Sequence, residues 1–172
     1  MIQPTETHAN ILIVDDNAEN LTLLSQMLTD RGYAVRPAIN GRVALKAIQK
    51  AAPDVILLDI MMPDLDGYEV CRQLKSDERT RDIPVIFLSV LSETLDKVRA
   101  FQVGGVDYIT KPFQVEEVIA RVHTHVNLQR AKQQLQEQNA QLQQEILERK
   151  QAEEALQHRN CELSLLELLS QT

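Results

Sequence analysis

Five short runs rich in β-branched and apolar residues, Ile11 to Val14, Ala34 to Ala38, Val55 to Leu58, Val85 to Leu88 and Val106 to Ile109, recur roughly twenty to thirty residues apart. The stretches between them have helical periodicity. Leu21, Leu24 and Leu28 line one face of the first, and Val115, Val118, Ile119 and Val122 repeat at helical spacing in the fifth. Because the strands read as continuous apolar runs rather than alternating ones, the pattern predicts a parallel sheet covered by helices on both faces, an α/β doubly wound fold. Ligands in such folds sit at the carboxyl ends of the strands.

Beyond Phe113 the pattern changes. From Gln114 to Thr172 there is no Gly, Pro or aromatic residue, and Gln, Glu, Leu and Ala dominate, so nothing interrupts a helix. Leu128, Leu135 and Leu142 recur at seven, and Leu156 and Leu163 continue the register after Arg149 interrupts it. With these at d, the a positions are Lys132, Asn139, Ile146, Glu153 and Asn160, a polar set that predicts modest stability. Asn139 at a favours two parallel strands in register, and Glu145 at g can face Lys150 at e of a partner, so the tail is expected to form a parallel homodimer. A single solvated helix is the alternative, but a Gln-rich helix this long gains little without a partner.

Composition narrows the function. The net charge of -7 leaves no basic surface for nucleic acid, and 6 aromatics without Trp offer no base-stacking platform, so nucleic-acid binding is not expected. No apolar run approaches the roughly 20 residues of a membrane span, and the N-terminus lacks a signal-peptide pattern, which predicts a cytoplasmic chain. Cys71 and Cys161 lie far apart without ligand partners, as reduced thiols do.

The strand ends carry the chemistry. Asp15 and Asp16 follow the first strand, Asp59 the third, Ser89 the fourth and Lys111 the fifth, all on one sheet edge. Asp64 and Asp66 belong to the loop after the third strand, where Pro63 and Gly67 mark a turn and Asp66 is placed to cap the next helix. Two carboxylates about 5 Å apart at an effective dielectric near 20 repel by roughly 3 kcal/mol, so the acid cluster must protonate, pair or bind a cation. Oxygen ligands with few protein contacts suit Mg²⁺, which retains waters and leaves room for a phosphoryl oxygen. Lys111 as a point charge and the Ser89 hydroxyl as a donor complete a site for moving phosphate onto a carboxylate. Capping of a helix is the simpler reading of Asp15 and Asp16 alone, but it does not account for Asp59, Ser89 and Lys111.

Across about Ile11 to Val126, the segments ILIVDDN, DVILLDIMMPDLDGYEV, PVIFLSV and GGVDYITKPF resemble the receiver domain of two-component response regulators. The resemblance implies a flavodoxin-like five-stranded sheet in the order 2-1-3-4-5. It implies phosphorylation of Asp59 by a sensor histidine kinase or phosphotransfer protein. Mg²⁺ would be held by Asp16, Asp59 and the backbone carbonyl of Met61, with Asp15 acting largely through water and Lys111 contacting the phosphoryl group. Ser89 and Tyr108 match the family's hydroxyl and aromatic switch positions, Tyr108 being equally readable as a static core aromatic, and Pro112 would carry a cis peptide. Three positions depart from the pattern: Val90 is larger than the usual small residue and narrows access to Asp59, and Met61 and Leu91 are apolar where the family tunes phosphoryl hydrolysis.

The expected organisation is a disordered arm over 1–9, a receiver domain over 10–126 and a coiled-coil extension over 127–172. The run ILERKQAEEALQ resembles the signalling helices that join receiver domains to downstream modules. His123, His125 and His158 lie outside any recognisable acceptor motif and read as solvated or seam-lining. The chain therefore reads as a phosphoryl-accepting module rather than an enzyme with an external substrate, the second reading being a receiver-like scaffold whose purpose is dimerisation. A phosphatase of the haloacid dehalogenase type is remote, since its general acid would fall on Met61. In a flavodoxin-like FMN carrier, Asp15 and Asp16 would repel the phosphate.

Overall fold

The computed structural model describes residues 8–90 and 94–171. Leu91 and most of the N-terminal arm, residues 1–7, lie outside the described residues. Elements alternate along the chain as β1 (Asn10–Val14), α1 (Ala18–Thr29), β2 (Ala34–Ala38), α2 (Gly41–Lys50), β3 (Val55–Asp59), α3 (Gly67–Ser76), β4 (Val85–Val90), α4 (Thr94–Gln102), β5 (Asp107–Lys111) and α5 (Val115–Ser170). All strand pairs are parallel, as the apolar pattern predicts, and the order is β2-β1-β3-β4-β5, as the resemblance implies.

Alternation along each buried strand divides the core into two layers. Leu12, Val14, Ile56, Leu58, Val85 and Phe87 point to one face and meet Ala44 and Ile48 of α2 and Val70, Cys71 and Leu74 of α3. Ile11, Ile13, Val55, Leu57, Ile86, Leu88 and Ile109 point to the other, against Leu21, Leu24 and Leu28 of α1 and Val118, Val122 and Val126 of α5. Each such side chain contributes roughly 1.5 to 3 kcal/mol on burial. A sheet sealed on both faces leaves its carboxyl edge as the place for polar side chains.

Helix starts follow local chemistry. Asn17 caps α1 by accepting from the Glu19 and Asn20 amides, Asn40 caps α2 through Val43, and Asp66 caps α3 through Glu69 at 2.9 Å. Asp64 takes a left-handed φ of 68° in the turn before α3. The Lys111–Pro112 peptide is cis, as the resemblance implies.

Three strand ends differ from the sequence reading. Asp59, Ser89 and Lys111 do not follow their strands but are the closing residues of β3, β4 and β5 or lie just within them, and β5 begins at Asp107 rather than Val106. Apolar side chains report only the buried part of a strand. The ladder itself continues, pairing Asp59 with Leu88, Ser89 with Thr110 and Val90 with Lys111.

Two compact units divide the chain at Gln129 and Arg130. Every described residue from Arg130 onward is exposed, and the second unit is helical through Ser170. Leu128, Leu135, Leu142, Ile146, Leu156 and Leu163 are each more than half exposed. No helix of the described residues is long and apolar enough to cross a membrane.

Candidate phosphoryl-accepting site

The carboxyl ends of β1, β3 and β5 bring Asp15, Asp59 and Lys111 together at one sheet edge, with β4, between β3 and β5, supplying Ser89. Asp15 is fully buried and Asp59 nearly so, while Asp16 is exposed. Lys111 Nζ reaches across the edge to Asp15 Oδ2 at 3.2 Å and Asp59 Oδ1 at 3.1 Å. The repulsion expected of the acid cluster is thus relieved in part by pairing.

Burial, followed by the charge of Asp15, pushes the Asp59 carboxyl up to about 6, against the opposing pull of Lys111. Burial works against the Lys111 charge as well, but Asp59 and Asp15 outweigh it and hold the ammonium pKa above its ordinary value. One cation shared by two buried carboxylates leaves the cluster short of positive charge.

Carboxylate oxygens of Asp15, Asp16 and Asp59 lie within 4.8 Å of one another. This acidic triad is consistent with a receiver metal site: an all-oxygen donor set, one member exposed and open to water, suits a hard divalent cation. The triad borders a cavity of about 460 Å³ that Met61, Tyr68, Ser89, Val90, Arg99 and Lys111 also line. Met61 and Val90 are 77% and 70% exposed, so both stand at the rim rather than in the floor.

Asn17 and Asn20 went unremarked in the sequence. Asp15 does not cap α1: its Oδ1 accepts from the Asn17 amide at 2.9 Å and its Oδ2 from the Asn20 side chain at 3.0 Å, while Asn17 does the capping. These bonds aim the Asp15 carboxylate into the site. The amides at Asn17 and Asn20, one helical turn apart after the aspartate pair, were the available signal.

Gly67 has a role beyond marking a turn. A Cβ there would fall on the carbonyl oxygen of Asp59, because the α3 N-terminus closes onto the end of β3, where the Gly67 amide donates to Ile60 O at 2.9 Å. Gly67→Ala is expected to destabilise the fold by about 2 to 3 kcal/mol, the cost of overpacking against backbone, and to displace Asp59. A denaturant midpoint and a phosphorylation rate measured on the same variant check both effects.

Tyr108 is half-buried against the α2/α3 layer, with Lys97 Nζ 4.4 Å from its ring centroid, Arg121 Cζ 5.6 Å away and Phe101 edge-on at 6.3 Å. His125 is not solvated. Its Nε2 lies 3.0 Å from Asp107 Oδ2, because Asp107 gathers Arg121 and His125 from successive turns of α5. His123 contacts the Asn127 side chain at 3.0 Å, and His158 lies in the exposed tail.

Residues 11–123 match the family described as the response regulator receiver domain, and this chain belongs to it. Among curated relatives, a probable cyclic di-GMP phosphodiesterase of Vibrio cholerae is 41% identical over 143 residues, 83% of this chain and 32% of the relative. The DNA-binding dual master transcriptional regulator RpaA of Synechocystis is 46% identical over 112 residues, 65% of this chain and 46% of its own length. A putative response regulator from Chloroflexus aurantiacus superposes with a TM-score of 0.69 at 32% identity, covering 70% of this chain and 99% of that one. The receiver domain of a signal transduction histidine kinase from Syntrophus aciditrophicus gives 0.65 at 37% identity, covering 69% and 90%. The chain spans a third to a half of the length of the curated relatives cited.

Proposed function

We propose that this chain is a phosphoryl-accepting module of a two-component phosphorelay, phosphorylated on Asp59, that signals through a dimeric helical tail in the cytoplasm. The observation that carries the reading is Asp59 itself, a buried carboxylate at the edge of the cavity, bonded to Lys111 and flanked by Asp15 and Asp16. The donor is a phosphohistidine on a sensor kinase or phosphotransfer protein. An Asp59 oxygen attacks phosphorus, and the P–N bond breaks with its electron pair returning to the imidazole ring.

Asp16, Asp59 and the Met61 carbonyl would hold Mg²⁺, which would supply positive charge to offset what accumulates on the transferring group. Asp15, held by the two asparagines, would act toward that ion largely through water. Lys111 exchanges its Asp59 partner for a phosphoryl oxygen, and the Ser89 hydroxyl donates to another. Acetyl phosphate with Mg²⁺ should therefore label the protein once per chain, and chelation should stop it. Asp16→Ala should slow labelling at least ten-fold without moving it to another residue, as peptide mapping of the labelled site reads out. Labelling that is indifferent to Mg²⁺ would reject the ion's role.

The tail reading rests on the exposed heptad leucines. In the proposed parallel dimer Leu128, Leu135, Leu142, Leu156 and Leu163 meet at d, and Asn139 and Ile146 at a. Ser89 and Tyr108 would move on phosphorylation and alter the packing of α5 against β5. A soft, polar a layer allows the seam to rotate or slip at a cost of about 1 to 3 kcal/mol, the scale of ordinary allosteric coupling. Spin labels at Gln136 and Gln143 are expected to report changed interchain distances when beryllofluoride is added. Unchanged distances would sink the through-helix route and favour a partner docking on the receiver unit.

A further inference from the structure

Between Leu142 and Leu156 the tail seam carries two charges, Arg149 at d and Glu153 at the next a, four residues and about 6 Å apart along the helix. Ile146 at a and Leu156 at d flank them, 65% and 61% exposed in the single chain. Both charged residues are exposed as well, and among the described residues neither has a hydrogen bond or ion pair within its own chain. Such pairs do form elsewhere in the tail, where Gln144 donates to Glu148 at 3.1 Å and His158 Nδ1 lies 3.5 Å from Glu162 Oε1. Arginine ahead of glutamate is the weaker order for an i, i+4 pair on one helix. The two charges are therefore left for a partner outside the chain.

Knobs-into-holes packing decides what each would meet. In a parallel coiled coil a side chain at a enters a hole walled by the other helix's a residue of the same layer, the g residue before it and the d residues on either side. For Glu153 of one copy, that hole is made by Arg149, Ala152, Glu153 and Leu156 of a second copy. For Arg149 at d, the corresponding hole is made by Ile146, Arg149, Lys150 and Glu153. Lys150 at e is drawn outward to Glu145 at g, so Glu153 is the counter-ion left to Arg149. Ala152 is small enough to let the guanidinium cross the seam.

We infer that Arg149 and Glu153 of two copies interleave as an ion-paired quartet, sealed between the Ile146 and Leu156 layers, so that the interruption in the heptad is a contact selecting a second copy of this chain. The inference rests on the parallel tail dimer proposed above. Two arginines and two glutamates leave the quartet neutral. A slip of one heptad would set Arg149 against Leu142 or Leu156 and Glu153 against Ile146 or Asn160, and charges entering the seam without counter-ions are costly. A foreign helix with leucines at both positions would strand the charges in the same way.

Charge reversal separates a contact across the seam from one within a chain. Dimer dissociation constants should be measured by sedimentation equilibrium on the full chain for wild type, Arg149→Glu, Glu153→Arg and Glu154→Arg. Arg149→Glu gathers four carboxylates at the seam and Glu153→Arg four guanidinium groups, so each alone should weaken the dimer at least about ten-fold. Mixed in equal amounts, those two variants should associate within about three-fold of wild type, because an all-acidic stretch then faces an all-basic one. Reversing both residues in one chain should restore the dimer to the same extent. Glu154→Arg makes the same charge change at b, on the outer surface, and should stay within about two-fold of wild type. Single variants that dimerise as wild type does, or a mixture no tighter than its components, would overturn the quartet. So would a loss in Glu154→Arg as large as that in Glu153→Arg, which would assign the effect to net charge. A wild-type chain that stays single at tens of micromolar would instead overturn the dimeric tail on which the quartet rests.

Discussion

Asp59→Asn is expected to abolish labelling by acetyl phosphate and, in the same protein, to raise stability at neutral pH when metal is chelated. The first effect follows because the amide offers no anionic nucleophile, and the other buried acid of the cluster, Asp15, has both oxygens engaged by Asn17 and Asn20. The second follows from the Asp59 pKa, about 6 in the fold against an ordinary value of 3.8. Between these values the native state holds the proton more tightly than the unfolded chain, so this group's contribution to stability falls as pH rises through the window and levels off above it. At pH 7.5 the ionised carboxylate costs about 2 kcal/mol after allowance for solvent screening, which asparagine removes. Thermal unfolding in chelator should show the variant ahead of wild type at pH 7.5 and level with it near pH 4. Added Mg²⁺ should close the gap at pH 7.5 by stabilising the wild type. A variant that still incorporates one stable phosphoryl group per chain would mean that the acceptor lies elsewhere.

Removing the tail is expected to change the mass of the particle. A chain ending at Gln129 keeps Val118, Val122 and Val126 in the core and should fold, yet it loses all the seam leucines but Leu128. Burial of the seam side chains favours association, set against the translational and rotational freedom lost and the cost of the polar a positions. Light scattering at tens of micromolar should give two chains for the full protein and one for the shortened form. Equal numbers of chains per particle would place the main dimer contact outside the tail.

The parallel sheet and the acid cluster were legible in the sequence because each rests on a strong local signal, whereas the strand order came from the resemblance to receiver domains. Val55 to Leu58 is an unbroken apolar run with a charged residue next, and burial of that run forces Asp59 to the sheet edge. Strand ends were less legible, since Ser89 and Lys111 join the ladder through backbone groups that side-chain polarity does not report. The partner of Lys111 was not legible either. Pairing with Asp15 depends on β1 and β5 delivering their ends to one point across β3 and β4, a consequence of sheet twist and order rather than of spacing. Gly67 was read for its turn, whereas its necessity comes from the Asp59 carbonyl lying against it, a contact between elements. His125 was misread for the same reason, because Asp107 reaches it from another element.

From Arg130 to Ser170 the helical unit rises about 1.5 Å per residue and so runs on the order of 60 Å. At physiological ionic strength a charge is felt over only about 8 Å. A charge at one end of that unit is consequently invisible, as an electric field, to the leucines near its other end. In the proposed through-helix route a signal would therefore have to travel along the unit as displacement of atoms, and a rod without glycine or proline transmits displacement with little loss. Raising the salt concentration should accordingly leave that proposed route untouched while it weakens exposed ion pairs along the rod.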